Sequence, residues 1–220
     1  LVQLPNLGTY VECDQVKAIA PDLDSLGIDP ALPILLCAGS PSKYNPNHDA
    51  VFVEIAKRLG KCQFIFFDFD ENLTAILRER LQAAFTHAQL DANQYLRFIP
   101  FLKKEEFYGL MQKADLYLDT IGFSGFNTAL QALMCNLPVV TLEGARMRGR
   151  LASAILNRIG VSDLICQSTD AYIDLVVELT QNQKSLNAYK DKIAKSKNIL
   201  FNDLEPIRAL EDFLIKRIRK

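Results

Sequence analysis

Residues 119–142 have the composition of a turn that binds phosphate groups. A predicted strand ends at Asp119, and the Gly-Phe-Ser-Gly turn that closes at Gly125 lets the backbone approach a ligand. Asn127 and Thr128 stand where the next helix should begin. The unpaired N–H groups and partial positive charge of a helix N-terminus favour a phosphate. The spacing therefore predicts a diphosphate site.

A second candidate loop, residues 39–44, follows an apolar strand-like run. Lys43 offers a positive charge to a phosphate, and Ser40 and Ser42 offer hydroxyl donors. The alternative interpretation is that Lys43 is an ordinary exposed loop lysine. Taken in isolation, this loop favours that alternative.

A third loop, residues 100–106, also follows a predicted strand. Its backbone could flank a planar base while Lys104 reaches a ribose or phosphate. Glu105 and Glu106 equally suit a helix N-terminus, where they complement the macrodipole. Because parallel strands end at one edge of a sheet, the three loops together predict one ligand crevice.

Two other patterns are weaker. Asp68 and Asp70 could hold a divalent cation against a diphosphate, but Asp70 is better explained as a helix N-cap. The two histidines, His48 and His87, lie in helical contexts and suit surface or capping roles. Ser124 lacks the strand, Gly-x-Ser-x-Gly and helix signature of a nucleophile.

The elements that must position these loops alternate regularly. Strand-like runs are predicted at 34–38, 63–67, 95–99, 116–119, 139–142 and 164–166. Helical patterns are predicted at 50–59, 73–85, 105–113, 127–134 and 148–159, and from 170 onward with a break near 198–206. This order predicts an α/β fold, a Rossmann-like parallel sheet flanked by helices.

Composition limits the class of protein. The 220 residues carry a net charge of −1, which argues against binding nucleic acid. No apolar run approaches the ~20 residues of a membrane span, and no signal peptide is visible. The basic end is interpreted as a solvated helix terminus, formed by Lys216, Arg217, Arg219 and Lys220. Five dispersed cysteines fit a reducing cytoplasm.

With these residues placed, the chain resembles the C-terminal half of family 41 glycosyltransferases, the O-GlcNAc transferase and SPINDLY-like enzymes and bacterial protein glucosyltransferases. The matching blocks occur in family order at 1–8, 104–106, 118–119, 125–128, 138–141, 147–150 and 200–203. The resemblance implies the C-terminal, nucleotide-sugar lobe of a GT-B fold. It also implies a UDP-sugar donor, UDP-GlcNAc or UDP-Glc, bound without a metal or another cofactor.

The resemblance also implies residue roles. Lys43 matches the lysine that contacts the diphosphate and supports the leaving UDP. Leu102 and Lys104 match positions beside the uridine. Asn127 and Thr128 match the pair that holds phosphate oxygens, and the neighbouring pocket positions are Gly125, Phe126 and Gln131.

Three residues depart from the family pattern. Phe126 and Phe107 stand where relatives have histidines, and Gln131 replaces an acidic residue that commonly binds ribose hydroxyls. Three arginines form either a basic rim near the site or the solvated face of the next helix, and the two interpretations are equally supported: Arg146, Arg148 and Arg150.

These features predict the donor lobe of an enzyme that glycosylates Ser/Thr or Asn side chains of a protein or peptide. Residues 1–30 are interpreted as an entry segment from a missing N-terminal lobe, 31–182 as the UDP-sugar-binding domain and 183–220 as C-terminal helices. The chain alone is expected to bind donor and to transfer poorly. Two alternatives remain, a catalytically degraded protein-interaction module and a lobe of a UDP-sugar epimerase.

Overall fold

Within residues 2–13 and 16–218, which the computed structural model describes, strands alternate with helices as predicted. The strands are β1 (Ile34–Cys37), β2 (Gln63–Asp68), β3 (Leu96–Pro100), β4 (Leu116–Leu118), β5 (Val139–Leu142) and β6 (Ile165–Cys166). The helices are α1 (Asp49–Leu59), α2 (Glu71–His87), α3 (Ala92–Tyr95), α4 (Lys104–Lys113), α5 (Asn127–Met134), α6 (Leu151–Arg158), α7 (Thr169–Gln181), α8 (Gln183–Ser196) and α9 (Glu205–Ile218).

The strands form one parallel sheet in the order β3-β2-β1-β4-β5-β6. Leu36 of β1 pairs with Ile65 of β2 on one side and with Tyr117 of β4 on the other. The chain therefore winds outward in both directions from the β1–β4 boundary. In open α/β sheets a ligand crevice forms beyond the carboxyl ends of the strands at such a switch point.

The strands are apolar because helices cover both faces of the sheet. Every residue of β1 is buried, and so are the first five of β2. Helix α1 buries Phe52 and Ile55 against the sheet, and Phe52 meets Phe64 edge-on at 5.3 Å. Gly60, with φ of 72°, ends α1 at the predicted residue.

Several predicted element ends shift by one to three residues, and two of these shifts have a clear local cause. Tyr95 belongs to the single-turn helix α3, because the Asp91 side chain accepts a bond from Asn93 N and caps that turn. The helix predicted from residue 148 begins at Leu151. A 3₁₀ turn precedes it, and Gly144 N donates to Gly149 O, which closes a loop where the helix was expected.

The described part of the chain ends in a helix with basic residues in its last turn. Leu1, Asp14 and Gln15 of the predicted entry segment, and Arg219 and Lys220 of the basic end, lie outside the described residues. Lys216 and Arg217 occupy the exposed last turn of α9, which confirms the helix-end interpretation. The division at residues 30 and 182 stays a prediction. None of the described helices is long and apolar enough to cross a membrane.

Candidate functional site

A buried carboxylate organises the turn between β4 and α5. Asp119 is 3% exposed, and its oxygens accept bonds from Ser124 Oγ (2.6 Å), Gly125 N (2.7 Å) and Thr141 Oγ1 (2.7 Å). Burial raises the pKa of Asp119, and these hydrogen bonds oppose the rise. From sequence, Asp119 was expected to end a strand and to belong to a matching block at 118–119, with no role in organising the turn. Its position between an apolar strand and a Ser-Gly pair was the available signal.

The turn is also held by hydrogen bonds between Ser124 and the segment that follows β5. Ser124 Oγ accepts a bond from Ala152 N at the start of α6, and Ser124 N donates to Arg148 O, both at 2.8 Å. A Cβ at Gly125 would lie 2.6 Å from Thr128 Oγ1, so only glycine fits there. The backbone at Gly125 therefore lies close to the first turn of α5, and its approach to a ligand stays a prediction.

Helix α5 begins at Asn127, as predicted. No side chain caps it, and its first turn carries no acidic residue. Thr128 Oγ1 accepts a bond from the buried Tyr117 hydroxyl at 2.8 Å, and burial raises the pKa of Tyr117, which keeps it a neutral donor. Asn127 is exposed, and Gln131 lies one turn further on the same helix face. The helix end thus presents N–H, hydroxyl and amide donors.

Lys43 is brought to the same turn by β1. The 3₁₀ turn Pro41–Lys43 follows β1, and Lys43 Nζ lies 4.7 Å from the centroid of the Phe123 ring. The two serines of this loop lie together, with Ser40 Oγ and Ser42 Oγ 3.1 Å apart. The turn after β4 and the loop at residues 39–44, the first and second predicted loops, therefore meet across the β1–β4 switch point.

The loop that carries Lys43 is held in place by hydrogen bonds of Tyr44 and Arg80. The Tyr44 hydroxyl donates to Cys37 O (2.8 Å) and accepts from Gly39 N (3.2 Å). Arg80 of α2 donates to Tyr44 O at 2.7 Å and pairs with Asp49. These contacts hold the lysine's backbone without engaging its ammonium group.

A cavity of about 600 Å³ opens beside Lys43, within the size range of small-molecule sites. Three cationic side chains line it, those of Lys43, Arg80 and Arg148. Phe123 and the exposed Ile76 of α2 add apolar surface. The cavity combines positive charge with an apolar wall, which suits an anion attached to a less polar group.

The loop after β3 lies further along the same edge. Leu102 is buried and Lys104 is the first residue of α4, with Glu105 and Glu106 in the first turn as the helix interpretation predicted. Strands β2 and β1 separate β3 from β4, so this loop stands three strand spacings, about 14 Å, from the turn after β4. A ligand would have to span that distance to use both.

Phe107, which stands where the resembled family has a histidine, packs against other aromatic rings. Phe107 is half-buried and meets Phe67 edge-on at 5.3 Å. Phe69 and the exposed Phe101 form a neighbouring pair, also 5.3 Å apart. The ring at Phe107 therefore extends an aromatic cluster and brings no polar group to this side of the crevice.

The N-cap interpretation of Asp70 is confirmed, since its carboxylate accepts a bond from Leu73 N at 3.0 Å. Among the described residues, no group of three His, Cys, Asp or Glu side chains is placed to hold a metal ion. His48 directly precedes α1 but caps nothing with its side chain, and His87 ends α2.

The three arginines do not form a helix face, so that alternative was wrong. They lie in the loop before α6, and Arg150 pairs with Glu143 at 3.0 Å. The bonds from Gln167 and Arg150 lower the pKa of Glu143. Arg148 instead extends over Phe123, with Cζ 5.9 Å from the ring centroid. Only Arg148 of the three lines the cavity beside Lys43.

The chain is similar in sequence to known glycosyltransferases. The model of glycosyl transferase family 41 matches residues 35–205. A UDP-N-acetylglucosamine–peptide N-acetylglucosaminyltransferase of Caenorhabditis elegans is 28% identical over 113 residues, 50% of this chain. The match covers 10% of that relative, so the chain spans about a tenth of its length.

Two solved structures share the fold. A mutant of the Thermobaculum terrenum O-GlcNAc transferase has a TM-score of 0.77 at 22% identity, covering 97% of this chain and 40% of that one. An E. coli trehalose-6-phosphate protein bound with UDP-2-fluoro glucose has a TM-score of 0.63 at 14% identity, covering 92% and 48%. These likenesses confirm the predicted fold class, a Rossmann-like lobe of the GT-B kind.

Proposed function

Because this chain belongs to glycosyl transferase family 41, we propose that it is the donor-binding, C-terminal lobe of an enzyme that transfers sugar from a UDP-sugar to a protein side chain. One observation carries the proposal: at the β1–β4 switch point, Lys43 lies against Phe123 of the turn that leads into the uncapped N-terminus of α5. That pairing of a cation with a helix end suits a diphosphate.

The diphosphate is bound from two sides. Asn127 and Thr128 donate to its oxygens from the start of α5, with the backbone of Gly125 and Phe126 beside them. Lys43 contacts it from the β1 loop, where Ser40 and Ser42 add hydroxyls. Departure of UDP builds negative charge, and a fixed cation stabilises that charge most in the transition state.

The nucleoside lies toward β3. The backbone near Leu102 reads the uracil, Lys104 contacts the nucleoside, and Gln131 bonds to the ribose in place of an acidic residue. An amide gives a weaker bond to a hydroxyl than a carboxylate does. UDP-GlcNAc and UDP-Glc are the donors we favour, bound with no metal and no further cofactor.

The rest of the enzyme lies outside this chain, which covers 40% of the bacterial O-GlcNAc transferase structure. A preceding N-terminal lobe supplies the groove for a Ser/Thr or Asn acceptor, and residues 1–30 lead in from it. Residues 31–182 bind the donor and residues 183–220 pack beside them. The location we propose is the cytoplasm. Family membership favours this transferase over an epimerase.

UDP binding without added metal tests the proposal, by calorimetry and thermal shift. At a hundredfold excess over Kd, binding adds ~2.7 kcal/mol to stability, roughly 5 to 10 °C for a chain of this size. We expect Lys43→Ala to weaken UDP binding, while Lys61→Ala, an exposed lysine after α1, leaves it unchanged. Absence of binding to UDP and UDP-sugars would instead support the interaction-module alternative.

A further inference from the structure

Two cations share one aromatic ring at the mouth of the crevice. Lys43 Nζ lies 4.7 Å and Arg148 Cζ 5.9 Å from the centroid of Phe123. Both distances fall within the ~6 Å range of cation–π attraction. The ring is 42% exposed, so the two cations are held at a surface that a ligand can reach.

Neither cation is neutralised. Among the described residues, no carboxylate lies within ion-pair distance of Lys43 or Arg148, and no Asp or Glu lines the cavity that both border. The nearby acids are already engaged. Asp49 pairs with Arg80, Glu143 pairs with Arg150, and Asp119 is buried beneath the turn.

Phe123 explains how the cations keep their places without such a partner. A carboxylate would hold them more firmly but would also compete with any incoming anion. An aromatic face attracts a cation while leaving its charge and its N–H donors available. The arrangement is therefore suited to binding an anion.

The backbone of Arg148 is fixed to the phosphate turn. Arg148 O accepts a bond from Ser124 N at 2.8 Å, and the Gly144 N to Gly149 O bond closes the loop that carries it. Because Ser124 leads directly into α5, the position of this arginine is set relative to the helix N-terminus. The backbone of Arg148 is therefore held beside the turn that leads into α5.

We propose that Arg148 is a second diphosphate-binding cation, held with Lys43 on Phe123. The inference rests on the proposed function and adds to it a residue and its positioning ring. Arg148 shares with Lys43 the negative charge of the bound nucleoside diphosphate. Arg146 and Arg150 have no such role, because Arg150 is committed to Glu143 and Arg146 does not line the cavity.

Calorimetric titration of the chain with UDP, UMP and inorganic pyrophosphate tests the assignment. We expect Arg148→Gln to weaken UDP binding about tenfold and UMP binding much less, since UMP lacks the second phosphate. Arg148→Lys should recover part of the loss. Arg146→Gln removes a neighbouring exposed arginine from the same loop and should change the UDP Kd less than about twofold.

Phe123→Leu tests the ring. It removes the cation–π contacts but keeps apolar bulk, so UDP binding should weaken while the melting temperature changes little. The loss in the double variant should be smaller than the sum of the losses from Phe123→Leu and Arg148→Gln, because the ring acts partly through the arginine and partly through Lys43. Additive losses would overturn the positioning role of Phe123.

The outcomes separate this inference from the proposed function. If UDP binds and Lys43→Ala weakens it, but Arg148→Gln matches Arg146→Gln, only the second cation is overturned. If pyrophosphate binds in an Arg148-dependent way while UDP binds no more tightly, the cation pair stands and the UDP-sugar assignment is overturned. Absence of binding to all three probes would overturn both.

Discussion

At the scale of single residues, the site depends on buried polar groups that touch no ligand. Asp119 holds three donors from the turn and from β5. Such a carboxylate is costly to bury unless its bonds are all made, because a low-dielectric surrounding penalises an unpaired charge. The geometry of the phosphate turn therefore depends on residues beneath it as much as on Asn127 and Thr128.

Thr141→Val tests that dependence. The change keeps the volume of the side chain and removes one hydrogen bond to the Asp119 carboxylate. Bonds to charged groups contribute about 1.5–3 kcal/mol, so the free energy of unfolding in urea should fall by about that amount.

The matched control is Thr180→Val, since Thr180 Oγ1 donates only to Val176 O of its own helix. It should cost about 1 kcal/mol or less. Equal costs for the two variants would contradict a special role for the Asp119 network.

At the scale of elements, the N-terminus of helix α5 lacks the residues that would stabilise it best. Its first turn carries no acid and no side-chain cap, although either would stabilise the helix. Leaving the end uncapped keeps its N–H groups and partial positive charge available for a phosphate. The departure from the best local sequence is therefore consistent with a binding site.

Asn127→Asp should separate stability from binding. A carboxylate at the first residue of α5 favours the macrodipole and should stabilise the folded chain by about 0.3–1 kcal/mol. The same charge repels a diphosphate, so the Kd for UDP should rise in calorimetric titration.

Gln183→Glu is the control for that pair of effects, because Gln183 is the exposed first residue of α8, whose first turn is also free of acids. It should give the stabilisation without the loss of UDP binding. A parallel loss in both variants would mean that net charge, and not the end of α5, controls affinity.

At the scale of the whole molecule, one hydrophobic core covers both faces of the sheet. Four of the five free cysteines lie in or against this core, and burial raises their pKa values. Burial raises the pKa of Cys62 to about 12 and those of Cys135 and Cys166 to about 11. It also raises that of Cys37. A raised pKa leaves little thiolate at pH 8, and the thiolate is the reactive form.

Alkylation by iodoacetamide at pH 8, followed by mass spectrometry, should therefore label Cys13 first and the buried Cys37 and Cys62 only after unfolding. In urea all five should react at similar rates. Because the raised pKa of the partly buried Cys135 lies above pH 8, labelling of this thiol in the native protein should accelerate as pH increases. Rapid native labelling of Cys62 at pH 8 would contradict its place in the core.

Much of the fold was encoded locally. The bounds of α5 and β5 matched their predicted ranges, and Gly60 and Asp70 ended and began helices where expected. Apolar periodicity and capping residues act over a few neighbouring positions, so the sequence alone determines them. The predicted phosphate turn at residues 122–128 belongs to this class.

Only the tertiary structure decided which distant residues meet. Lys43 adjoins Phe123 because β1 and β4 are neighbours in the sheet, although the chain passes through β2 and β3 between them. Asp119 acquires Thr141, and Arg148 reaches the ring of Phe123, because β5 lies beside β4 in the sheet. Strand order is set by the packing of the whole core, so no short stretch of sequence specifies these contacts.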